Sequence, residues 1–574
     1  MERPLLALIF LVCCAGCLPS PARAEQQAGN EVGAAGARLE KEVEGRRKEF
    51  APRKEKPAKV EFAPPAAKPA ERAVSFTLTD VTVTGATVLT RKTVRAIYQP
   101  YLGKIVTFQD LETIISRIKA RYAARGYLTT IAYLPEQDIK EGKVEIRVAE
   151  GKMGKLKIEG NAWFSNSLLT KYVHAKKDRI LNISALQRDL LRLNQNSDLD
   201  VKAVLTASEA PETSDVVLKV VERCPHHMGF AFDNQGTRLV GHYRPSLYYR
   251  GTNITGNNDS LFINTLFSAS SFGQSAGYSA PLTTYGTTAG VDYTVFTMKL
   301  GKEFSQFEIK GMAQIAKFHI SQELFLNEDF EASATAGLEI KSIEKEAQGI
   351  RTGDDQLRLP YLAFDFMKLD SIGGGGQTTF SPRFVFGTEG FLGASYRNNP
   401  DASRNGAGGG HFFKYEQTVR RIQRMAAESR LTICAETQVT NITLPPSEQL
   451  QLGGASSIRG YPEGDYLCDS GGFVNIDWAF PTYLFPRDFK LPHAGMPLRQ
   501  QLQGAVFVDF GGGYLEQVLP GEKRSKFLAG IGGGLRFYFN RNLYLRIDWA
   551  KDIGDRPTPG TGPSTFYISL QTET

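Results

Sequence analysis

The stretch NLYLRIDWA, Asn542 to Ala550, alternates strictly: Leu543, Leu545, Ile547 and Trp549 fall on one face of an extended chain, and Tyr544, Arg546 and Asp548 on the other. Successive side chains of a strand point to opposite faces, so the segment separates an apolar surface from a polar one. GGFVNIDWAF, Gly471 to Phe480, repeats the pattern with Val474, Ile476, Trp478 and Phe480 against Asn475 and Asp477. Helical periodicity is absent after Cys224, and short alternating segments broken by Gly, Asn, Asp and Pro take its place. One segment every 20 or so residues gives about 16 strands, an even number in the range of outer-membrane barrels. A soluble all-β array would alternate in the same way. The lack of repeat identity, the aromatic residues near segment ends and the start of the chain favour the membrane barrel.

That start, MERPLLALIFLVCCAGCLPSPARAEQQ, has Arg3, an apolar core from Leu5 to Leu18 and the small-residue end Ala22-Arg23-Ala24. This is the layout of a secretory signal, with cleavage after Ala24 leaving Glu25 first. The competing reading is lipoprotein processing at Cys17, against which Cys14-Ala15-Gly16 lacks the leucine usual three residues before a lipidated cysteine. Cys13, Cys14 and Cys17 would leave with the signal, and Cys224, Cys434 and Cys468 remain. An oxidising compartment would permit one Cys434–Cys468 bridge; buried, small, apolar thiols are the alternative. Beyond the signal no apolar run reaches the length of a membrane-spanning helix, so insertion requires a closed barrel. The net charge of +7 is spread over 68 basic and 61 acidic residues and does not single out nucleic acid as a partner.

Between signal and barrel the texture changes twice. In residues 25–73, Val32, Leu39, Val43 and Phe50 follow at spacings of 7, 4 and 7 and line one face of a helix capped at Asn30. APRKEKPAKVEFAPPAAKPAE then reads as an extended, Pro-rich tether. From Ser75 two similar blocks follow, each strand, helix, helix, strand, strand. In the first the helices are placed at Arg91 to Tyr101 and within Thr107 to Tyr127, in the second at Asn166 to Lys176 and Ile183 to Asn196. Gly85 aligns with Gly160 and Glu150 with Glu222, 75 and 72 residues apart, a repeat of small α/β modules at 74–151 and 152–222 with the barrel at 223–574.

Motifs of catalysis are missing. GIGGGLRFYF from Gly530 and GAGGGH from Gly406 have the look of phosphate loops, but neither opens a helix in a βαβ unit, so they read as turns or close-approach strand positions. CPHH, Cys224 to His227, lacks a second half with metal-ligand spacing, and no serine sits in GxSxG. The expectation is a protein that is not an enzyme and carries no cofactor or metal.

Longer stretches resemble a family. RGYLTTIAYLPEQDIKEGKVEIRVAEG, Arg125 to Gly151, is similar to the first polypeptide-transport-associated (POTRA) module of two-partner secretion transporters. FAFDNQGTRLVGHYRPSLYYRGTNITGNNDSLFIN, GYSAPL, LPPSEQLQLGGASSIRGYPEGDY and AVFVDFGGGY resemble barrel segments of the same hemolysin-activator and filamentous-hemagglutinin transporters. The resemblance implies a mainly β fold: a transmembrane antiparallel barrel of about 16 strands behind two periplasmic POTRA modules, with an N-terminal helix that plugs the pore. It implies a Gram-negative outer-membrane location, a secreted exoprotein of hemolysin or adhesin class as client, outer-membrane lipid around the barrel and the barrel assembly machinery as a partner. An insertase of the same superfamily is the alternative function, with a passive porin or adhesin further off. Client contact is expected at Arg125, Gly126, Tyr127, Pro135, Gln137 and Asp138 of the first module.

The resemblance also gives Arg459 a place. In the family an Arg-Gly-Tyr tip, here Arg459, Gly460 and Tyr461, belongs to a long external loop that folds into the barrel and meets a Phe-x-Asp motif, here Phe507 and Asp509. Alternation supports the wall assignment independently, with Gln503, Phe507 and Asp509 on the face opposite Leu502, Val506 and Val508. The chain ends on Thr574 rather than on an aromatic residue, and its last strand is expected at Phe566 to Leu570 or slightly beyond.

Overall fold

The computed structural model describes residues 21–49, 60–62, 75–396, 399–404, 410–492, 495–539, 542–558 and 564–574. They form two compact units, one within 51–224 and one made of 225–574 and the N-terminal helix.

In the smaller unit the repeat is real in three dimensions. The first module runs through strand Asp80–Thr84, helices Arg91–Tyr98 and Phe108–Ala123, and strands Ile131–Tyr133 and Lys143–Ala149. The second runs through strand Lys152–Glu159, helices Asn166–Tyr172 and Ile183–Asn194, and strands Leu199–Ala207 and Thr213–Glu222. Helix Phe108–Ala123 starts where Thr107 and Asp110 exchange a capping box, and it buries Leu111, Ile114, Ile115, Ile118 and Tyr122 at helical spacing. The helix expected from Arg91 to Tyr101 ends at Tyr98 and tightens into a 3₁₀ turn over Gln99–Tyr101, because Pro100 has no N–H to donate.

The paired Gly and Glu have one physical cause. A Cβ on Gly85 would lie 2.1 Å from the Val148 carbonyl oxygen, and one on Gly160 2.4 Å from that of Val220, and both glycines have positive φ. Each first strand therefore leaves its sheet through a turn closed to other residues. The glutamate at the end of the last strand ties that turn down: Glu150 accepts from the backbone N–H of Thr87 and Val88 at 2.7 and 2.9 Å and from the Tyr122 hydroxyl at 2.6 Å. Glu222 accepts from the N–H of Ala162, Trp163 and Phe164. Burial works against the Glu150 carboxylate, but these donors outweigh it and hold its pKa below the ordinary glutamate value. Its stabilising contribution is therefore complete above the ordinary carboxylate range and is lost as pH falls through the depressed value. Glu150→Ala, which strands two N–H donors, should destabilise the first module by about 1–3 kcal/mol. Hydrogen exchange at Thr87 and Val88 rising to the rate of an open loop would show it; unchanged protection would refute it.

The two sheets differ at their edges. Among the described residues Ile131–Tyr133 pairs only with Lys143–Ala149 and stands last in its sheet, with Ile131 and Tyr133 exposed. The matching edge of the second module, Leu199–Ala207, carries a fourth strand from the tether, Val60–Phe62, paired in parallel. The rest of the tether, 51–59 and 63–74, lies outside the described residues, as does Phe50.

The larger unit is a closed barrel of sixteen antiparallel strands, from His226–Asp233 to Ser564–Glu573, with each strand beside its sequence neighbour. Among the described residues no helix is long and apolar enough to cross a membrane. The outward row of the Leu502–Tyr514 strand, Val506, Val508 and Phe510, is exposed, while inward Phe507 and Asp509 are buried. The last strand reaches Glu573, three residues past Leu570, because Gly229 to Asp233 of the first strand pair with Ser569 to Glu573.

Inside the barrel lies the helix Pro21–Glu49, 29 residues or about 44 Å at 1.5 Å per residue, of which the expected signal cleavage would leave Glu25 to Glu49. It starts before Asn30, which sits in its interior rather than at its cap. The preceding Ala22, Ala24, Glu25, Gln26, Gln27 and Ala28 are mostly strong helix formers, and Pro21 is suited to a first turn. Val32, Leu39 and Val43 are buried with Phe262, Phe296 and Ala313 of the barrel, which accounts for their spacing.

Candidate functional site

The external connection between strands Arg430–Thr440 and Ser470–Pro481 is residues 441–469. A short ribbon, Leu450–Leu452 against Tyr466–Cys468, stiffens it and buries the tip residues Ile458 and Tyr461 with Leu528 and Phe473 of the wall. At its root Glu448 pairs with Lys341 and Lys414 at 2.9 and 2.8 Å. Asp469 accepts from the N–H of Leu444 and Glu516 and from the Gln449 amide. The thiol of Cys468 donates to the Leu450 carbonyl at 3.6 Å; it and Cys434 are both free, so the bridge left open by the sequence is not formed.

Arg459, 3% exposed, ends on the inner wall. Its Nε and Nη2 donate to the two oxygens of Asp509 at 2.6 and 2.7 Å, a bidentate fork, and its own backbone N–H donates to Asp509 Oδ2 at 3.0 Å. The guanidinium stacks on Phe507, 3.4 Å from the ring centre. Gly460 donates to the Tyr567 hydroxyl at 3.1 Å, and that hydroxyl donates to the Tyr461 carbonyl at 2.8 Å. The Tyr461 hydroxyl accepts from the N–H of Ala529 and Gly554. The five residues Arg459, Gly460, Tyr461, Phe507 and Asp509 thus form one constellation.

Sequence reading did not name the rest of it. Arg459 Nη1 also meets Asp477 at 3.1 Å and Asp548 at 3.5 Å, while Arg536 pairs with both aspartates and Arg546 donates to Asp548 at 2.7 Å. Asp477, Arg546 and Asp548 lie on the polar faces of the two alternating stretches quoted first, so the signal was present in the pattern. The glycine cluster has its reason here as well. A Cβ on Gly530 would lie 1.8 Å from the Arg459 carbonyl oxygen, on Gly532 2.5 Å from the Phe507 ring, and on Gly534 2.0 Å from Asp548. The bare strand is the bed on which the arginine lies, a close-approach surface. GAGGGH falls largely outside the described residues.

The lumen helix is held by charge on its other faces. Glu42 pairs with Arg244 at 3.1 Å, Lys41 with Glu436 at 2.7 Å, Glu40 with Lys341 at 3.6 Å and Glu44 with Lys317 at 3.7 Å. Arg38 donates twice to the Gln451 amide oxygen, and Gln451 returns a bond to the Ala34 carbonyl at 2.7 Å. Helix and inward loop therefore touch each other as well as the wall.

The six residues expected to meet a client are dispersed. Gly126 is buried where the modules join: its carbonyl accepts from Ile183 N–H at 2.7 Å and the Arg125 carbonyl from the Asn182 amide. Arg125 donates to the Val88 carbonyl, and Tyr127 packs edge-on to Tyr122. Gln137 exchanges two 2.7 Å bonds with the Glu145 backbone and donates to Pro135 O, pinning that segment along Lys143–Ala149; Asp138 is exposed. His226 and His227 of CPHH lie against Tyr249 and the chain end, Thr574.

Known proteins share this construction. Residues 76–151 match the ShlB-type POTRA domain, and residues 212–537 match the haemolysin secretion/activation protein family ShlB/FhaC/HecB. The heme/hemopexin transporter protein HuxB of Haemophilus influenzae (strain 86-028NP) is 22% identical over 486 residues, 83% of this chain and 82% of that one. The outer membrane transporter CdiB of Escherichia coli is 24% identical over 433 residues, 73% of this chain and 70% of that one. The solved structure of CdiB from Escherichia coli superposes with a TM-score of 0.74 at 20% identity, covering 97% of this chain and all of the other. BamA from Haemophilus ducreyi lacking POTRA domains 1–3 gives 0.51 at 14% identity over 87% of this chain and all of that one, a likeness of fold. With more than half of its length matched and the sixteen-strand barrel in place, the chain belongs to the haemolysin secretion/activation family ShlB/FhaC/HecB, secretion transporters of the outer membrane.

Proposed function

We propose that this transporter takes one large exoprotein, of hemolysin or adhesin class, unfolded from the periplasm and passes it outward through the barrel in two-partner secretion. The observation that carries the reading is a closed barrel whose lumen holds two separately tethered elements, the helix Pro21–Glu49 and the loop tip at Arg459, packed against its inner wall. A pore obstructed this way can be opened without unfolding the wall.

Recognition in this reading uses backbone. The exposed edge strand Ile131–Tyr133 offers unpaired N–H and C=O groups to an extended client, and Ile131, Tyr133 and Leu128 add apolar contact beside Asp138 and Arg125. A client strand adding to the second module would have to displace Val60–Phe62. Deleting the gene and comparing culture supernatants tests the function. Loss of one large exoprotein with other outer-membrane proteins at normal levels is the expected result; broad loss of outer-membrane proteins would replace the reading with the insertase.

A further inference from the structure

Antiparallel alternation returns every even strand to the end of the barrel where the first strand starts, so the connection between Ser470–Pro481 and Leu502–Tyr514 lies at the periplasmic end. It spans residues 482–501, whereas the other connections at that end, such as 252–259, 327–329 and 425–429, are three to eight residues long. Strand joining requires nothing of this length.

Its composition is equally unusual. Leu484 is 88% exposed and Tyr483 55%, and Phe489 and Met496 are exposed with them. Arg487 and Lys490 are exposed basic residues in the same segment, with Asp488 the one acid. The apolar groups are held outward by a folded loop. Phe485 stacks on Phe489 at 6.0 Å, Arg499 lies over the Tyr483 ring at 4.5 Å, and the Tyr483 hydroxyl donates to the Ala427 carbonyl of the neighbouring turn. Phe489 exchanges backbone bonds with Pro486 and Leu498, and Leu498 and Gln501 are buried beneath. Pro486, Pro492 and Pro497 remove N–H donors that a weakly hydrated setting would leave unsatisfied.

The loop also continues the lipid-facing surface. Trp478 and Phe480 occupy the outward row of the strand that leads into it, with Phe480 lying across Gly504, and Phe537 and Phe539 end the outward row of the Ser525–Phe539 strand. Aromatic residues gather where a barrel meets the membrane interface, and basic residues beside them favour anionic headgroups. We propose that the described parts of this connection, Thr482–Pro492 and Gly495–Gln501, form an anchor that seats Leu484 and Phe489 in the periplasmic leaflet while Arg487 and Lys490 bind anionic phospholipid headgroups. The anchor rests on the barrel spanning the outer membrane, and it leaves the client and the route of secretion open.

The test uses the protein freed of its signal segment, with Cys224, Cys434 and Cys468 changed to serine and a fluorophore attached at Leu484→Cys. The protein is placed in vesicles of phosphatidylcholine alone or mixed with phosphatidylglycerol. A label at Val506→Cys, on the outward wall, reports separately whether the barrel has inserted. With phosphatidylglycerol present, spin-labelled lipid should quench the Leu484 label several-fold more than aqueous acrylamide does, and Arg487→Glu with Lys490→Glu should reverse that preference. Quenching by acrylamide in both vesicles, or protection from both quenchers, would overturn the anchor in favour of a client or protein contact. Equal lipid quenching in the two vesicles, unmoved by charge reversal, would overturn anionic recognition.

Discussion

Asp509→Ala will cut the exoprotein in the culture supernatant by about tenfold or more, while a folded barrel remains in the outer membrane. The carboxylate is fully buried and receives three bonds from Arg459, two from the guanidinium and one from the backbone. Removing one partner of a buried, hydrogen-bonded ion pair costs about 3–5 kcal/mol. At about 1.4 kcal/mol per decade that shifts the docked loop by a factor of a hundred or more. Arg459→Ala should behave alike, since it abandons the same carboxylate. Asp477→Ala should be milder, because it takes one bond from Arg459 and leaves the fork on Asp509 intact. Immunoblots of supernatant and of unheated outer-membrane samples separate the two effects. Normal secretion from both single variants and from the charge-swapped Arg459→Asp, Asp509→Arg pair would leave the loop without a role in transport.

Gly36→Leu should open the pore. By propensity alone the change strengthens the helix by about 1 kcal/mol, so a plug limited by helix formation would seal better. The packing predicts the reverse sign: a Cβ at Gly36 would lie 2.7 Å from the Ala313 Cβ on the wall, before the rest of the leucine is counted. Overpacking of this kind costs about 1–3 kcal/mol, and the helix can escape it by leaving the wall. Planar-bilayer recordings should show the open state populated about fivefold to a hundredfold more often. Gly45→Leu is the control on the same helix, since a Cβ there meets nothing within 4 Å. Equal conductance in the two variants would mean that the helix does not limit the pore.

The barrel was legible in the sequence because alternation is a local property: nine residues from Asn542 to Ala550 suffice to give an inner and an outer face. The modules were legible through Gly85, Gly160, Glu150 and Glu222, whose backbone requirement recurs at fixed spacing. The Arg459–Asp509 pairing came from family likeness, and alternation could support only the inward direction of Asp509. What alternation could not supply was which inward charges share one height in the barrel. Asp477 and Asp548 meet Arg459, and Arg536 meets both aspartates, through the stagger of three further strands, which no single segment encodes. The lumen helix showed its apolar face, but its start was misplaced at Asn30 because a capping residue inside a run of helix formers carries no signal of its own. The parallel strand Val60–Phe62 was hidden in the tether, where three residues between prolines have no period to read.

The join between the first and last strands comprises five residue pairs, against eight and nine in the pairings on either side of it. It is also the pairing that unites the most distant parts of the chain, so loop-closure entropy makes it the slowest to form. All other strands zip to a neighbour in sequence, and this one can close only when the sheet has already curled. If the sheet grows by pairing sequence neighbours, ring closure comes last, and its five pairs make it the shortest seam to reopen. A transporter put together in this order keeps, after assembly, a lengthwise fault line toward the bilayer that its other fifteen pairings do not share.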